Sequence, residues 1–124
     1  MIKLLKPYQR IFGYDQKYEW DKIALRYMKN CDKILDVGCG EGRFISHNPK
    51  KIVGIDHNKK SLELCKKEGY NVRYSKVTNL PFKNASFDAV HCSHVIEHLL
   101  PEDAHKLLSE MDRVLKVGGI FCLR

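Results

Sequence analysis

No apolar run in this 124-residue chain approaches the roughly 20 residues needed to span a bilayer, which argues against a membrane-spanning helix. The first residues, MIKLLKPYQRIFGY, also lack the continuous apolar stretch and small-residue cleavage site of a secretory signal. The expected location is therefore cytoplasmic. Paired cysteine motifs are missing as well. Cys31, Cys39, Cys65, Cys92 and Cys122 form an odd set of 5 with no CxxC pair. That argues against a disulfide framework and against a four-cysteine zinc site. Buried free thiols in a reducing compartment account for them. There is no internal repeat and no low-complexity tract.

What is present is ordinary for a globular protein: 44% hydrophobic and 30% charged residues. The length allows one domain at most, and a chain of this size buries roughly two-thirds of its unfolded surface. Lys and Arg outnumber Asp and Glu by 22 to 15, a net charge of +7. Such a balance can mark an anionic partner. Here the lysines are spread along the chain, and the pairs Lys50-Lys51, Lys59-Lys60 and Lys66-Lys67 fall in turns or on an exposed helix face. A solvated surface is favoured; a nucleic-acid partner stays open but is not favoured.

Residues 1–31 read as an N-terminal helical segment. Its helix is expected over Asp15–Asn30, with Trp20, Ile23, Ala24, Tyr27 and Met28 on one face. Strands and helices then alternate through 32–124, the signature of an α/β fold with a parallel sheet. Strands are expected at Lys33–Val37, Lys51–Ile55, Asn71–Tyr74, Phe87–Cys92 and Ile120–Leu123. Helices are expected from Gly42 to about His47, broken before Pro49, and over Asn58–Glu68. In the second of these Asn58 is the N-cap, Gly69 the terminator, and Leu62, Leu64 and Cys65 the apolar side. Lys76–Ser86 is a loop. Pro101–Leu115 is a helix with Ala104, Leu107, Leu108, Met111, Val114 and Leu115 on one face, and Val117-Gly118-Gly119 is a turn. Near-obligatory right-handed crossovers make this a doubly wound sheet. Its ligand belongs beyond the carboxyl ends of the first, second and fourth strands.

The sharpest local feature is ILDVGCGEGRF, residues 34–44, where a buried strand runs into Gly38, Gly40 and Gly42. Glycines permit positive φ and close approach of a ligand, and a following helix would add free N–H groups and a positive dipole end. The dinucleotide fingerprint needs a third glycine where this chain has Arg43, and no Gly-Lys-Ser/Thr of a P-loop is present. Asp36, just before the glycines, would repel a phosphate and suit a cationic or amino-bearing ligand. Asp56 ends the second strand, where α/β nucleotide folds place an acceptor for ribose hydroxyls; the competing reading is a turn or N-cap aspartate.

ILDVGCGEGRF, then VGID, then LPFKNASFDAVHCSHVIEHL, then RVLKVGGIF together resemble the class I S-adenosylmethionine (SAM) dependent methyltransferases. Within these they are most similar to the small-molecule and general branch with an LPF-x4-FD-x-V segment. The resemblance covers about Asp32 to Leu123. It implies a Rossmann-like sheet in the order 3-2-1-4-5 and SAM as cofactor. Gly38, Cys39, Gly40 and Gly42 would line the methionine and ribose portion, and Asp36 would contact the amino group. Asp56, with His57 beside it, would bind the ribose. Val77 and Thr78 would lie beside the adenine, Ser93 would face the methionine moiety, and Leu80, Pro81 and Phe82 would shape the rim. Lys76 stands where many relatives carry an acidic adenine ligand, and lysine cannot accept that bond.

His94-Val95-Ile96-Glu97-His98 also matches the inverted zinc-peptidase pattern HxxEH, which on a helix would put both histidines on one face. A zinc hydrolase would need a further carboxylate ligand and would leave the glycine loop and Asp56 without a role, so no metal is expected. Within the methyltransferase reading His98, and after it His94, are the candidate general bases. The acceptor, small molecule or macromolecule, is not identified by the sequence. A catalytically inactive SAM-binding or regulatory subunit, a sensor and a degenerate remnant are the non-catalytic alternatives. The sequence stops inside the fifth strand, short of the family's usual antiparallel pair. It is therefore expected to be a fragment or a truncated reading frame that binds SAM weakly or folds poorly by itself, and that can self-associate through the uncovered fifth-strand edge.

Overall fold

The computed structural model describes residues 17–124. The part of the expected N-terminal segment before Lys17 lies outside the described residues. The described elements run α1 (Lys17–Tyr27), β1 (Ile34–Val37), a 3-10 turn (Ile45–His47), β2 (Ile52–Asp56), α2 (Lys59–Lys67) and β3 (Val72–Tyr74). They continue with β4 (Phe87–Cys92), a second 3-10 turn (Ile96–His98), α3 (Pro101–Val114) and β5 (Leu115–Leu123). The five strands form one all-parallel sheet in the order β3-β2-β1-β4-β5. No helix among the described residues is long and apolar enough to cross a membrane.

A strand in the middle of such a sheet is buried on both faces, so its side chains alternate between two cores. Ile34, Ile52 and Ala89 join Trp20, Ala24 and Met28 of the α1 segment and Leu62 and Cys65 of α2 in one apolar cluster. Leu35, Val37, Ile55, Val90 and Cys92 join Leu107, Met111 and Val114 of α3 in the other. By the same alternation Asp36 of β1 and His91 of β4 fall on the α1 face. They are also register partners across the two neighbouring strands.

Several expected boundaries shift. The segment after the glycines is a turn followed by a single 3-10 turn, Ile45–His47, and not a helix from Gly42. The stretch is short and ends at Asn48-Pro49, and proline's restriction on the preceding residue stops propagation. The fifth strand does not wait for Ile120. It starts at Leu115 opposite Phe87 and resumes at Ile120 opposite Ala89, so the Val-Gly-Gly turn becomes a bulge within one strand. Tyr27 and Leu64, expected on buried faces, are 53% and 43% exposed. The start of α2 follows the sequence reading, because the Asn58 side chain accepts the Ser61 N–H at 3.1 Å.

Candidate functional site

The glycine loop is built by β1, β2 and the residues around β4's exit. Gly38 and Cys39 both donate their N–H groups to the Ile55 carbonyl at 2.9 Å, which bends the chain back over the end of β2. Gly38 has φ +74, and a Cβ there would lie 2.4 Å from Val95 Cγ2. Gly42 has φ +89, and its Cβ would meet the Tyr70 ring at 2.7 Å. Both positions therefore need glycine on conformational and steric grounds. The Asp56 carboxylate fastens the loop. One oxygen accepts the Gly40 N–H at 2.8 Å and the other the Asn58 N–H at 2.9 Å.

Beyond the carboxyl ends of β1 and β4 lies a cavity of about 360 Å³. Its walls are Asp36, Gly38, Cys39, Gly40 and Glu41, then Arg43, Phe44 and Asp21, then His91, Ser93 and His94. The buried Asp36 carboxylate takes a 2.8 Å hydrogen bond from His91 Nδ1. Burial pushes its pKa up from the usual carboxylate value, with the His91 contact opposing the rise. Behind His91, Trp20 Nε1 donates to Nε2 at 3.0 Å. Phe44 stacks on the imidazole with centroids 3.7 Å apart and planes 5° from parallel. Buried Asp21 accepts from Arg43 at 2.8 Å at the cavity wall.

The structure brings part of the expected site together. Asp36, Gly38, Cys39, Gly40, Ser93 and His94 line the cavity. Gly42 and Asp56 shape and fasten the loop without lining it. His57 is exposed, next to Asp56. Val77 is buried in the α3-side cluster, and Thr78 lines a separate hollow with Asn79, Lys106 and the Glu110–Arg113 pair. The two histidines of HxxEH separate. His94 sits at φ +58 outside any helix, and only Ile96–His98 forms a 3-10 turn. They therefore do not share the helical face that a zinc site would require. The side chain of His98 is 77% exposed and lies near Glu97 at 3.6 Å, away from the cavity walls.

The rim segment after β3 is held from α3. The Arg113 guanidinium donates to the carbonyls of Leu80 and Phe82 at 3.1 and 2.8 Å, and Glu110 accepts the Leu80 N–H at 2.8 Å. Hydrogen bonds from Arg113 hold the Glu110 carboxyl below its ordinary range. All five cysteines are free and buried, and burial raises each thiol, that of Cys122 to about 12. They are chemically quiet at neutral pH.

Sequence reasoning missed Trp20, Asp21, Arg43, Phe44 and His91. A signal existed for one of them. Asp36 and His91 are both the penultimate residues of strands that end at the same level, so aligning strand ends would have paired them. The Trp20 contact spans 71 residues and has no local signature.

Comparison with known proteins gives consistent matches. A family model described as "Methyltransferase domain" matches residues 35–123. The chain is 32% identical over 105 residues to an Arabidopsis thaliana protein named tRNA (carboxymethyluridine(34)-5-O)-methyltransferase, covering 82% of this chain and 26% of that protein. A solved SAM-dependent methyltransferase from Archaeoglobus fulgidus superposes with TM-score 0.64 at 33% identity, over 79% of this chain and 48% of the other. A Pyrococcus horikoshii protein superposes with TM-score 0.76 at 25% identity, over 94% of this chain and 64% of the other. The chain thus spans from about a quarter to under two-thirds of the length of these matches.

Proposed function

The chain belongs to the class I SAM-dependent methyltransferase superfamily, and from that premise we propose that it binds SAM in the glycine-loop cavity and transfers its methyl group to an acceptor nucleophile. The observation that carries this reading is the buried Asp36 carboxylate in the wall of a glycine-lined cavity. A carboxylate held there against its desolvation cost is complemented by an ammonium group, and repels a pyrophosphate. Bound SAM supplies a methyl group made electrophilic by its sulfonium.

The chain's own residues bind and orient. Asp36 accepts from the ammonium group. Gly38, Cys39 and Gly40 allow close backbone approach, Gly42 lets the loop close against Tyr70, and Ser93 borders the methionine part. Asp56 turns from the Gly40 amide toward the ribose hydroxyls, with His57 beside it, and the adenine extends past the cavity toward the segment after β3 that holds Val77 and Thr78. Alignment of acceptor, methyl and sulfur, with water excluded, supplies several kcal/mol of barrier lowering. Of the two histidines, His94 lines the cavity; it is the general base for an acceptor that must lose a proton. For the acceptor we propose tRNA. The Arabidopsis relative is named for tRNA, and the net charge of +7 attracts a polyanion at long range. A cytoplasmic location suits that acceptor.

Thermal unfolding with and without S-adenosylhomocysteine tests the reading. Ligand at about 100 times Kd adds roughly 2.7 kcal/mol to the native state, which raises Tm by several degrees for a chain of this size. A rise with S-adenosylhomocysteine and none with NAD supports it, and no rise refutes it. Labelled SAM incubated with a tRNA pool and with a small-metabolite pool then decides the acceptor. Binding with transfer to neither identifies the inactive SAM-binding subunit.

A further inference from the structure

His91 contacts Asp36 beside the cavity, and Trp20 and Phe44 hold the His91 ring. Their arrangement is chemically specific. An indole N–H is a donor only. Trp20 Nε1, 3.0 Å from His91 Nε2, therefore requires that nitrogen to present its lone pair. The remaining proton of the neutral imidazole then sits on Nδ1 and points at Asp36 Oδ1, 2.8 Å away. Phe44, stacked on the ring, fixes its plane. His91 is itself buried and is the register partner of Asp36 on the neighbouring strand, which keeps the two side chains side by side on one face of the sheet.

We infer that His91 is a positioning residue for the cofactor's ammonium group. Locked by Trp20 into the Nδ1–H tautomer, it holds one oxygen of Asp36 so that the carboxylate meets the amino acid part of SAM in a single orientation. The inference rests on the methyltransferase reading and adds to it a helix from outside the glycine loop. Through this chain of two hydrogen bonds Trp20 of α1 reaches Asp36 from the far side of the His91 ring. A His91 that merely filled space would need neither the indole donor nor the Asp36 contact.

The test uses the 124-residue chain and two ligands measured by calorimetry. S-adenosylhomocysteine carries the ammonium group; 5′-methylthioadenosine keeps the adenosine and thioether and lacks the amino acid part. His91→Phe keeps the ring that stacks on Phe44 and removes the donor. It is expected to weaken S-adenosylhomocysteine by about 10- to 100-fold, the range seen when a hydrogen-bond partner that orients a metal-ligating side chain is removed. Its affinity for 5′-methylthioadenosine stays at the wild-type value. His91→Asn restores an N–H donor and recovers part of the loss. In parallel, the imidazole nitrogen shifts of the ligand-free wild type report Nδ1–H, and Trp20→Phe releases the ring to a mixture of tautomers. Equal loss of both ligands, no loss of either, or an Nε2–H tautomer in the wild type overturns the inference. A wild type that binds 5′-methylthioadenosine and S-adenosylhomocysteine equally well also overturns it. A wild type that binds neither removes the methyltransferase reading itself, and the positioning role with it.

Discussion

Two glycines of one loop, Gly40 and Gly42, allow conformational and steric costs to be separated. Gly40 has φ +55, and a Cβ placed there meets nothing within 4 Å. Gly40→Ala should therefore cost only the left-handed backbone, about 1–2 kcal/mol. Gly42 has φ +89, and its Cβ would lie 2.7 and 2.9 Å from two carbons of the Tyr70 ring and 3.1 Å from Cys65 Sγ. Cys65 is fully buried in the α1-side core and Tyr70 packs against that core. Overpacking of this kind adds roughly 1–3 kcal/mol. Gly42→Ala is thus expected to cost about 2–5 kcal/mol, at roughly 3–6 °C of Tm per kcal/mol for a chain of this size. Urea and thermal unfolding of both variants, each also in a Tyr70→Ala background, give the double-mutant cycle. In that background the cost of Gly42→Ala should fall toward that of Gly40→Ala, while the Gly40 figure stays constant. Equal costs for the two glycines in the native background would refute the steric reasoning. So would a Gly42→Ala cost indifferent to Tyr70.

Three further outcomes follow from the same geometry. Asp36 is raised above its ordinary 3.8 by burial, so the wild type loses stability as pH rises from that value through the native one. Asp36→Asn keeps an acceptor for His91 and removes the charge. Its Tm should match wild type in acid, exceed it at neutral pH, and come with loss of S-adenosylhomocysteine binding; a lower Tm at neutral pH would contradict the assignment. Asp56→Ala frees the Gly40 and Asn58 amides and should weaken S-adenosylhomocysteine and 5′-methylthioadenosine alike, by about tenfold or more for a lost charged hydrogen bond, as calorimetry would show. Arg113→Leu removes the guanidinium donor from the Leu80 and Phe82 carbonyls, leaving Leu80 only the Phe82 N–H, and leaves Glu110 without its cation. Hydrogen exchange of the 79–84 amides should accelerate well beyond that of β1, and unchanged protection would show that the loop holds itself.

The sheet was legible because its signals are local. KILDV, KIVGI and FDAVHC are short apolar runs, each bounded by turn residues, and a parallel buried strand needs no more than that. Asp36, Gly38, Gly40 and Gly42 were legible because the loop's backbone demands those residue types at that spacing. What failed was set by competition over distance. The helix expected at Gly42 had the right flanks, yet too few residues before Asn48-Pro49 to recover the cost of nucleation. The strand expected at Ile120 began at Leu115, since pairing with Phe87 outweighed the turn preference of Val117-Gly118-Gly119. The spacing of HxxEH suggested one helical face for its two histidines, but the positive φ at His94 redirects the chain, so that His94 lines the cavity and His98 does not. Trp20 and His91 acquire their chemistry only from each other, across a sequence gap that no local pattern bridges.

The sheet also divides the protein's evolutionary freedom. Leu107, Met111 and Val114 of α3 pack against one side of β1 and β4, while Asp36 and His91 stand on the other. Volume-conserving exchanges among those three should alter stability and leave the ligand pocket's affinity nearly untouched. The α1 side has no such latitude. Trp20 contributes to the core and also sets the proton of His91. Drift on that face would register as lost recognition before it registered as unfolding. A lineage retuning its thermal range would find its neutral paths through α3 and few of them through α1.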